Sequence, residues 1–510
     1  MNEIKTILGP PGCGKTQTNS NLILGYIKEG VIPSKIACVS FTRKAATESR
    51  ERVCKDGGLT EEDLPYFQTL HSMAFHALGY KRNQVMGPSD FRKIGEETGL
   101  EFSKKRSNAE NDFDFVGHKT GDLYLNMYVL SRNTLKPLNI IFNEAQNHAL
   151  SYTELTRFVG AYESYKKAEK KVDFVDMIEQ FIAQKPFLGI DVLVVDEAQD
   201  LSTLQWKMIN EVLRREASTQ IFTGDDDQAI MLFQGADVKA FLNATEKKEV
   251  LSQSYRVPRA VHEKAQSIAE QIEGRASKNW EPTSKEGSIT YHYNFADVPI
   301  DKGEWTILAR TKKTLNKHAA QLKNEGWIYR RDGKPSIPVR SIDAIDSWTS
   351  LCKGEEITMQ QARNIYSYMK AGEGFKKGYG PRSPTNLKLA GEFLVNMDYL
   401  HKELGLLVDD KKLWYQVLGK IGEATQNYIL NALKRGDRVK NPRIKLSTIH
   451  SMKGGEDDNI LIIPELSFAA DKEYKRNPST EHRVFYVAVT RAKKHLHIMQ
   501  PNPQERNYDI

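Results

Sequence analysis

Ile4-Lys5-Thr6-Ile7-Leu8-Gly9-Pro10-Pro11-Gly12-Cys13-Gly14-Lys15-Thr16 begins as a short β-branched apolar run and ends on a GxxxxGK[ST] pattern without a mismatch. A helical pattern, Gln17–Lys28, follows it. Strand, glycine-rich turn and helix in that order form the setting a phosphate loop requires. Glycines let backbone N–H groups face phosphate oxygens, and the helix N-terminus adds positive potential. In that setting Lys15 reaches the β- and γ-phosphates, and the Thr16 hydroxyl ligates Mg2+. A glycine-rich turn without a ligand is the bland alternative, and the flanking strand and helix stand against it. The expected nucleotide contacts are Gly9, Pro10, Pro11, Gly12, Cys13, Gly14, Lys15, Thr16 and Gln17.

A second apolar strand, Asp191–Val195, runs into Asp196-Glu197-Ala198-Gln199-Asp200. It delivers two adjacent carboxylates at its carboxyl end, where α/β sheets place ligands. Asp196 is expected to hold Mg2+ and Glu197 to polarise an attacking water. An acidic helix cap would explain the pair equally well in isolation; the phosphate loop tips the balance. Arg256, in Gln253-Ser254-Tyr255-Arg256, and Arg491, in Tyr486–Arg491, each sit in a short dense motif. A lone Arg is usually a surface ion pair, but phosphoryl transfer needs permanent cations against the charge that develops on the γ-phosphate.

Composition narrows the class. The 510 residues carry 73 Lys and Arg against 66 Asp and Glu, a net charge of +7 that permits nucleic acid without demanding it. At about 150 residues per domain the length suggests roughly three domains. Four cysteines (Cys13, Cys38, Cys54, Cys352) form no CxxC pair, so neither a disulfide framework nor a zinc site is expected. No apolar run approaches the ~20 residues of a membrane span, and no signal-peptide pattern is present, so a soluble, cytoplasmic protein is expected. Further strand-like runs at Ile36–Phe41, Gln220–Thr223, Thr306–Ala309, Asn459–Ile463 and His495–Met499 alternate with helical patterns, as in parallel α/β sheets. Two stretches lack that alternation. One, 85–185, carries helical segments such as Glu154–Lys171; the other, 335–440, is rich in Lys, Gly and Tyr. Both read as insertions. Basic stretches with interleaved aromatics, Lys312–Lys334 with Trp327 and Tyr329 and Tyr366–Arg382 with Phe375 and Tyr379, suggest polyanion-binding surfaces, although such charge runs are as often solvated faces.

The motifs, taken in chain order, resemble superfamily 1 DNA helicases of the UvrD/Rep/PcrA type. They are GPPGCGKT at 9–16, VSFTRKAATESRERV at 39–53, FQTLHSMAF at 67–75, VDFVDMI at 172–178, VLVVDEAQDLS at 192–202, FTGDDDQAIMLFQGA at 222–236, LSQSYRVP at 251–258, LSTIHSMKGGEDD at 446–458 and VFYVAVTRAKKHLHI at 484–498. The resemblance implies two RecA-like P-loop NTPase domains, each with a largely helical insertion. The first would comprise 1–84 and 186–250 with its insertion at 85–185; the second would comprise 251–334 and 441–510 with its insertion at 335–440. It implies ATP and Mg2+ as cofactors, with Gln228 coupling γ-phosphate to DNA. Arg256 and Arg491 would be arginine fingers from the second domain. Tyr255 would stack on the base, and Glu456 would meet the ribose. Phe41, Thr42, Arg43, Thr69, His71, Phe233 and His450 would touch DNA or couple it to ATP.

The implied activity is ATP-dependent translocation on single-stranded DNA, 3′ to 5′, separating duplex DNA in replication, repair or recombination. Single-stranded DNA and its junctions with duplex would be the partners, alongside replication or repair proteins, with the chain a monomer or weakly self-associating. A DNA-stimulated ATPase that displaces proteins without processive unwinding is the alternative. The sequence also departs from the family. The upstream Gln segment that reads adenine is absent, so weaker preference for ATP over other NTPs is expected. Met231 and Gln234 stand where the family has Tyr and Arg, Phe233 replaces Trp, and Arg43 stands where Asn is usual. The compact size suggests a phage-encoded member, in which case the host cytoplasm would be its location.

Overall fold

A computed structural model of the chain describes residues 3–103, 119–145, 149–382, 393–436 and 440–510. Parts of both expected insertions (104–118, 146–148, 383–392 and 437–439) lie outside the described residues. The chain divides into two compact units, Met1–Glu286 with Glu473–Thr490, and Gly287–Lys472 with Arg491–Ile510.

The first unit is built on six parallel strands: β1 (Ile4–Leu8), β2 (Ile36–Ser40), β3 (Phe67–Gln68), β4 (Val192–Asp196), β5 (Thr219–Gly224) and β6 (Lys248–Val250). Their order is β3-β2-β4-β5-β1-β6. Every residue of β2, β4 and β5 is buried, which is why these segments read as unbroken apolar runs rather than alternating ones. Helices α1 (Lys15–Lys28), α2 (Arg43–Gly57) and α3 (Leu70–Ala77) follow β1, β2 and β3. The expected helical insertion contains α4 (Pro88–Thr98), α5 (Thr120–Thr134), α6 (Leu138–Ala145), α7 (Tyr152–Ala168) and α8 (Phe174–Gln184). It shares one core with the sheet, because Leu8, Val39 and Val195 belong to the same buried cluster as Phe158, Tyr162 and Phe181.

In the second unit the strands are β7 (Ser288–His292), β8 (Trp305–Ala309), β9 (Tyr329–Arg331), β10 (Lys334–Pro335), β11 (Ile357–Thr358), β12 (Leu394–Val395), β13 (Ile444–Thr448), β14 (Asp457–Ile463) and β15 (Ala492–Met499). Seven of them form a sheet in the order β10-β9-β13-β8-β14-β15-β7, parallel except where β10 turns back on β9; β11 and β12 pair with each other. Helices Val339–Cys352, Met359–Tyr368, Met397–Glu403 and Glu423–Arg435 enclose a separate core around Trp348, Tyr366 and Ile429. Two mixed α/β units with parallel sheets are the architecture expected of RecA-like domains.

Three details differ from the sequence reading. The strand expected at Asp191–Val195 runs one residue later, so Asp196 is its last residue. Strand β13 joins β8 to β9 at the middle of the second sheet although its sequence, IKLST, carries no apolar run; Lys445 and Ser447 break the pattern on one face. Residues 251–286, expected with the second α/β domain, pack with the first unit, as do 473–490. Among the described residues no helix is long and apolar enough to cross a membrane.

Candidate active site

Strand order sets the site. With β4, β5 and β1 adjacent and parallel, their carboxyl ends lie side by side. The end of β1 turns through Gly9–Gly14 into α1. Gly12 and Gly14 hold φ of 73° and 80°, the left-handed region that a side chain resists. Gly9 is required for a different reason: a Cβ there would lie 2.2 Å from Lys15 Cγ. The N-terminus of α1 has no side-chain cap, so no side chain takes up its first N–H groups, as a phosphate loop needs.

Lys15 Nζ donates to Gly9 O at 2.7 Å. Burial alone would lower its pKa, but Glu197, Asp225 and Asp196, with the Cys13 thiol, outweigh that and hold it above the usual lysine value. It therefore stays cationic. Asp196 shows the opposite balance. Burial and the adjacent Glu197 push its carboxyl up to about 7, against the pull of Lys15, the Glu197 N–H at 3.1 Å and Asn19. A buried Asp196 beside a half-buried Glu197, with one lysine interacting with both, is short of positive charge, and a carboxylate with a threonine hydroxyl is a hard-oxygen donor set. Asp196 and Thr16 thus fit a divalent cation such as Mg2+.

Glu197 follows β4 with φ of 51°, one of five left-handed non-glycine residues among those described. Strain of this kind persists only where the surroundings over-determine it. Here Gln199 Nε2 donates to Glu197 Oε2 at 2.5 Å, while Gln199 Oε1 accepts the Asp225 N–H at 3.0 Å. Gln199 so ties the end of β4 to the end of β5, and Asn19, accepting from Thr223 Oγ1 at 2.7 Å, ties α1 to β5. Gln228 Nε2 donates to Asp225 Oδ2 at 2.7 Å.

The motif around Arg256 docks on the phosphate loop within the first unit. Ser254 Oγ donates to Pro11 O at 2.8 Å, and the Tyr255 N–H donates to Gly12 O at 2.9 Å. Arg256 Cβ would sit 2.4 Å from any side chain at Gly12, and the Tyr255 ring is 77% exposed. Three further residues at this site escaped the sequence reading. Lys278, Arg275 and Arg483 reach Asp225, Asp226 and Asp227 from 48 to 257 positions away, and no local pattern announces them.

Several expected DNA contacts converge on one cleft of about 820 Å³ in the first unit, lined by Arg43, Thr69 and His71. Arg50, Arg82 and Phe174, which the sequence reading missed, line it too. Thr42 and Thr69 spend their hydroxyls as caps of α2 and α3, accepting from Ala45 N and Ser72 N. His71 is buried, edge-on to Phe174 at 5.7 Å; burial and then Arg43 lower its pKa to about 3, so it offers a neutral ring rather than a cation. Phe41 packs half-buried against the core. Phe233 is 56% exposed on the turn Leu232–Gln234, which excludes a core role, whereas Met231 is buried.

The four aromatics of the two basic stretches divide by burial: Tyr329 and Tyr379 are half-buried, and the other two are covered. Trp327 and Phe375 are core residues, the first under the Arg435 guanidinium at 4.2 Å and the second stacked on Tyr366. Their apolar area fills the second unit's cores, which a composition reading cannot separate from a binding face.

Expected residues of the second unit gather beside one another. Arg491 is buried just before β15, where its Nη1 donates to Gly455 O at 3.3 Å and its carbonyl accepts the Asp457 N–H at 3.2 Å. Glu456, between those two partners, lies 4.0 Å from Lys493. His450 sits in the turn after β13.

Comparison with known proteins identifies the family. Residues 1–249 match the model of the UvrD/REP helicase N-terminal domain, and residues 421–502 match that of the UvrD-like helicase C-terminal domain. The chain is 26% identical over 307 residues to an ATP-dependent DNA helicase PcrA of Leuconostoc citreum, covering 56% of this chain and 40% of that protein. It is 26% identical over 350 residues to DNA helicase II of Escherichia coli K12, covering 65% of this chain and 47% of that one. A probable DNA helicase II homolog of Mycoplasma genitalium is 20% identical over 585 aligned positions, which span 97% of this chain and 82% of the relative. The chain thus spans less than half the length of the first two relatives. With both family domains matched in the order their motifs occur, the chain belongs to the UvrD/Rep helicase family.

Proposed function

We propose that the chain is an ATP-driven motor on single-stranded DNA, moving 3′ to 5′ and separating duplex, as part of DNA replication, repair or recombination. The observation that carries this reading is the meeting of Lys15, Asp196, Glu197 and Gln228 at three adjoining strand ends of the same unit that holds the Arg- and aromatic-lined cleft. Phosphoryl transfer is mostly positioning and charge stabilisation. Lys15, kept cationic, binds β- and γ-phosphate oxygens. Glu197, fixed by Gln199, orients the attacking water and accepts its proton. Mg2+, held by Thr16 and Asp196, would neutralise charge on the phosphates. Arg256 and Arg491 supply the forks that stabilise the departing charge, Tyr255 stacks on the base, and Glu456 meets the ribose. Gln228 reports the γ-phosphate to the DNA cleft, where Phe233 and Arg43 engage base and backbone. The chain acts in the cytoplasm, on single strands and their junctions with duplex.

The decisive experiment measures ATP hydrolysis by the purified protein with and without a single-stranded oligonucleotide, beside Lys15→Ala. Strong stimulation that the variant loses supports the motor; basal hydrolysis without stimulation overturns it. A second reading, a DNA-stimulated ATPase that displaces proteins without processive unwinding, is favoured by one observation. Met231 is buried, so Phe233 is the exposed aromatic of its turn. Unwinding of naked against protein-bound tailed duplexes separates the two.

A further inference from the structure

The triad Asp225-Asp226-Asp227 has buried carboxylates throughout, and Lys278 Nζ stands among them at 2.6, 2.5 and 2.8 Å. Neither lysine nor the first two aspartates exposes any side-chain area, and Arg275 closes the far side with a fork on Asp227 at 2.9 and 2.7 Å. A cluster of three carboxylates could hold a metal ion, but here an ammonium group already fills that place. So many buried charges are expensive to desolvate and weak evidence for stability alone, which points to a need for specific geometry.

That geometry concerns Gln228. Asp225 divides its two oxygens: Oδ2 accepts from Gln228 Nε2 at 2.7 Å and Oδ1 accepts from Lys278 Nζ at 2.6 Å. Lys278 therefore fixes the carboxylate that aims the Gln228 amide. Other bonds from the triad reach the same two chain segments. The Ala276 N–H donates to Asp226 Oδ2 at 2.8 Å, and Arg483 Nε donates to Asp226 O at 2.9 Å. Residues 275–286 run on into the second unit at Gly287, and the helix Pro478–Val489 runs on into it at Arg491.

We propose that Lys278 is a positioning residue for Gln228, and that the triad it holds passes the state of the γ-phosphate site to the two segments leading into the second unit. The inference rests on the proposed ATP-site role of Gln228. A γ-phosphate that draws the Gln228 amide also moves Asp225, and Asp225 shares Lys278 with Asp226 and Asp227. Whatever shifts that lysine then shifts the hydrogen bonds of Ala276 and Arg483.

Amide hydrogen exchange of the full chain, with ADP and with a non-hydrolysable ATP analogue, tests this without a variant. The analogue, and not ADP, should change protection around Gln228 together with the peptide containing Ala276. A change at Gln228 with Ala276 unmoved overturns the inference and leaves the ATP-site reading intact. No γ-phosphate-dependent change at Gln228 overturns the reading beneath it. The charge-balanced double variant Lys278→Met with Asp226→Asn adds an equilibrium measurement. Its preference for the ATP analogue over ADP should fall about tenfold, as for one lost hydrogen bond to a charged group, while ADP affinity holds. Equal weakening of both nucleotides would mean a merely structural role.

Discussion

On the proposed function, Phe233 separates binding from chemistry at the scale of one side chain. Its ring is exposed on a short turn whose Gln234 carbonyl accepts from Asn133 Nδ2 at 3.3 Å, so α5 supports the turn from behind. Base stacking contributes about 1–3 kcal/mol. Phe233→Ala should therefore weaken single-strand affinity about tenfold and lower DNA stimulation, with DNA-free hydrolysis unchanged; equal loss in both rates would sink the stacking role. Lys15→Ala and Glu197→Gln act on the other side of that division. Each should lower turnover about 100-fold or more while DNA binding persists, measured by steady-state hydrolysis beside fluorescence anisotropy. These residues were legible in sequence because the phosphate loop and the acidic strand end are local patterns, each complete within about ten positions. Lys278, Arg275 and Arg483 were not, since long-range ion pairs leave no spacing to read. Met231 was legible as a departure, but its burial was not.

Among the elements, the helical insertion of the first unit depends on one charged cluster. Arg132 on α5 donates to Asp173, Asp176 and Glu179, and Lys166 on α7 meets Asp173 and Asp176. Asp173 and Asp176 also close a capping box at the start of α8, so three helices share these carboxylates. Removing one partner leaves buried charge uncompensated, which costs about 3–5 kcal/mol. Arg132→Ala should lower the melting temperature of the first unit, with the second unit's transition unmoved in calorimetry. Burial alone would raise the Asp173 pKa, but Arg132 and Lys166 hold it below the usual carboxylate value. Its contribution is thus complete above the unfolded pKa and lost as pH falls through the folded one. The sequence showed this motif, VDFVDMI, without its partner Arg132, 41 residues upstream of Asp173. Strands were legible where burial is two-sided, as in β4 and β5, and illegible where one face carries polar groups, as in β13.

Over the whole molecule, the expected division at residue 250 misjudged where contacts change hands. Ser254 on Pro11 and Lys278 on the aspartates draw residues 251–286 to the first unit, although sheet membership alone would divide the chain between β6 and β7. Strand order is nearly readable from sequence; which sheet a connecting segment packs against is set by such long-range bonds. The two units also carry a shared response to acid. His71 in the first, and His318 and His497 in the second, are buried and have pKa values lowered to about 3, 4 and 4, burial being the first cause in each. A histidine near 6.5 when unfolded takes up a proton that its folded form refuses, so the unfolded state binds more protons between those values and stability rises with pH there. Each such group removes about 1.4 kcal/mol per pH unit as pH falls below 6.5, until its folded pKa is reached. His497 has a second reason to stay neutral: its Nδ1 shares a hydrogen bond of 2.9 Å with His292 Nε2, which two protonated rings would break. Both units should lose stability between pH 6.5 and 4. In His497→Gln the second unit's loss should be shallower by about 1.4 kcal/mol per pH unit, read from chemical denaturation across that range. An unchanged slope would mean that His497 is protonated in the folded state, with its ring turned away from His292.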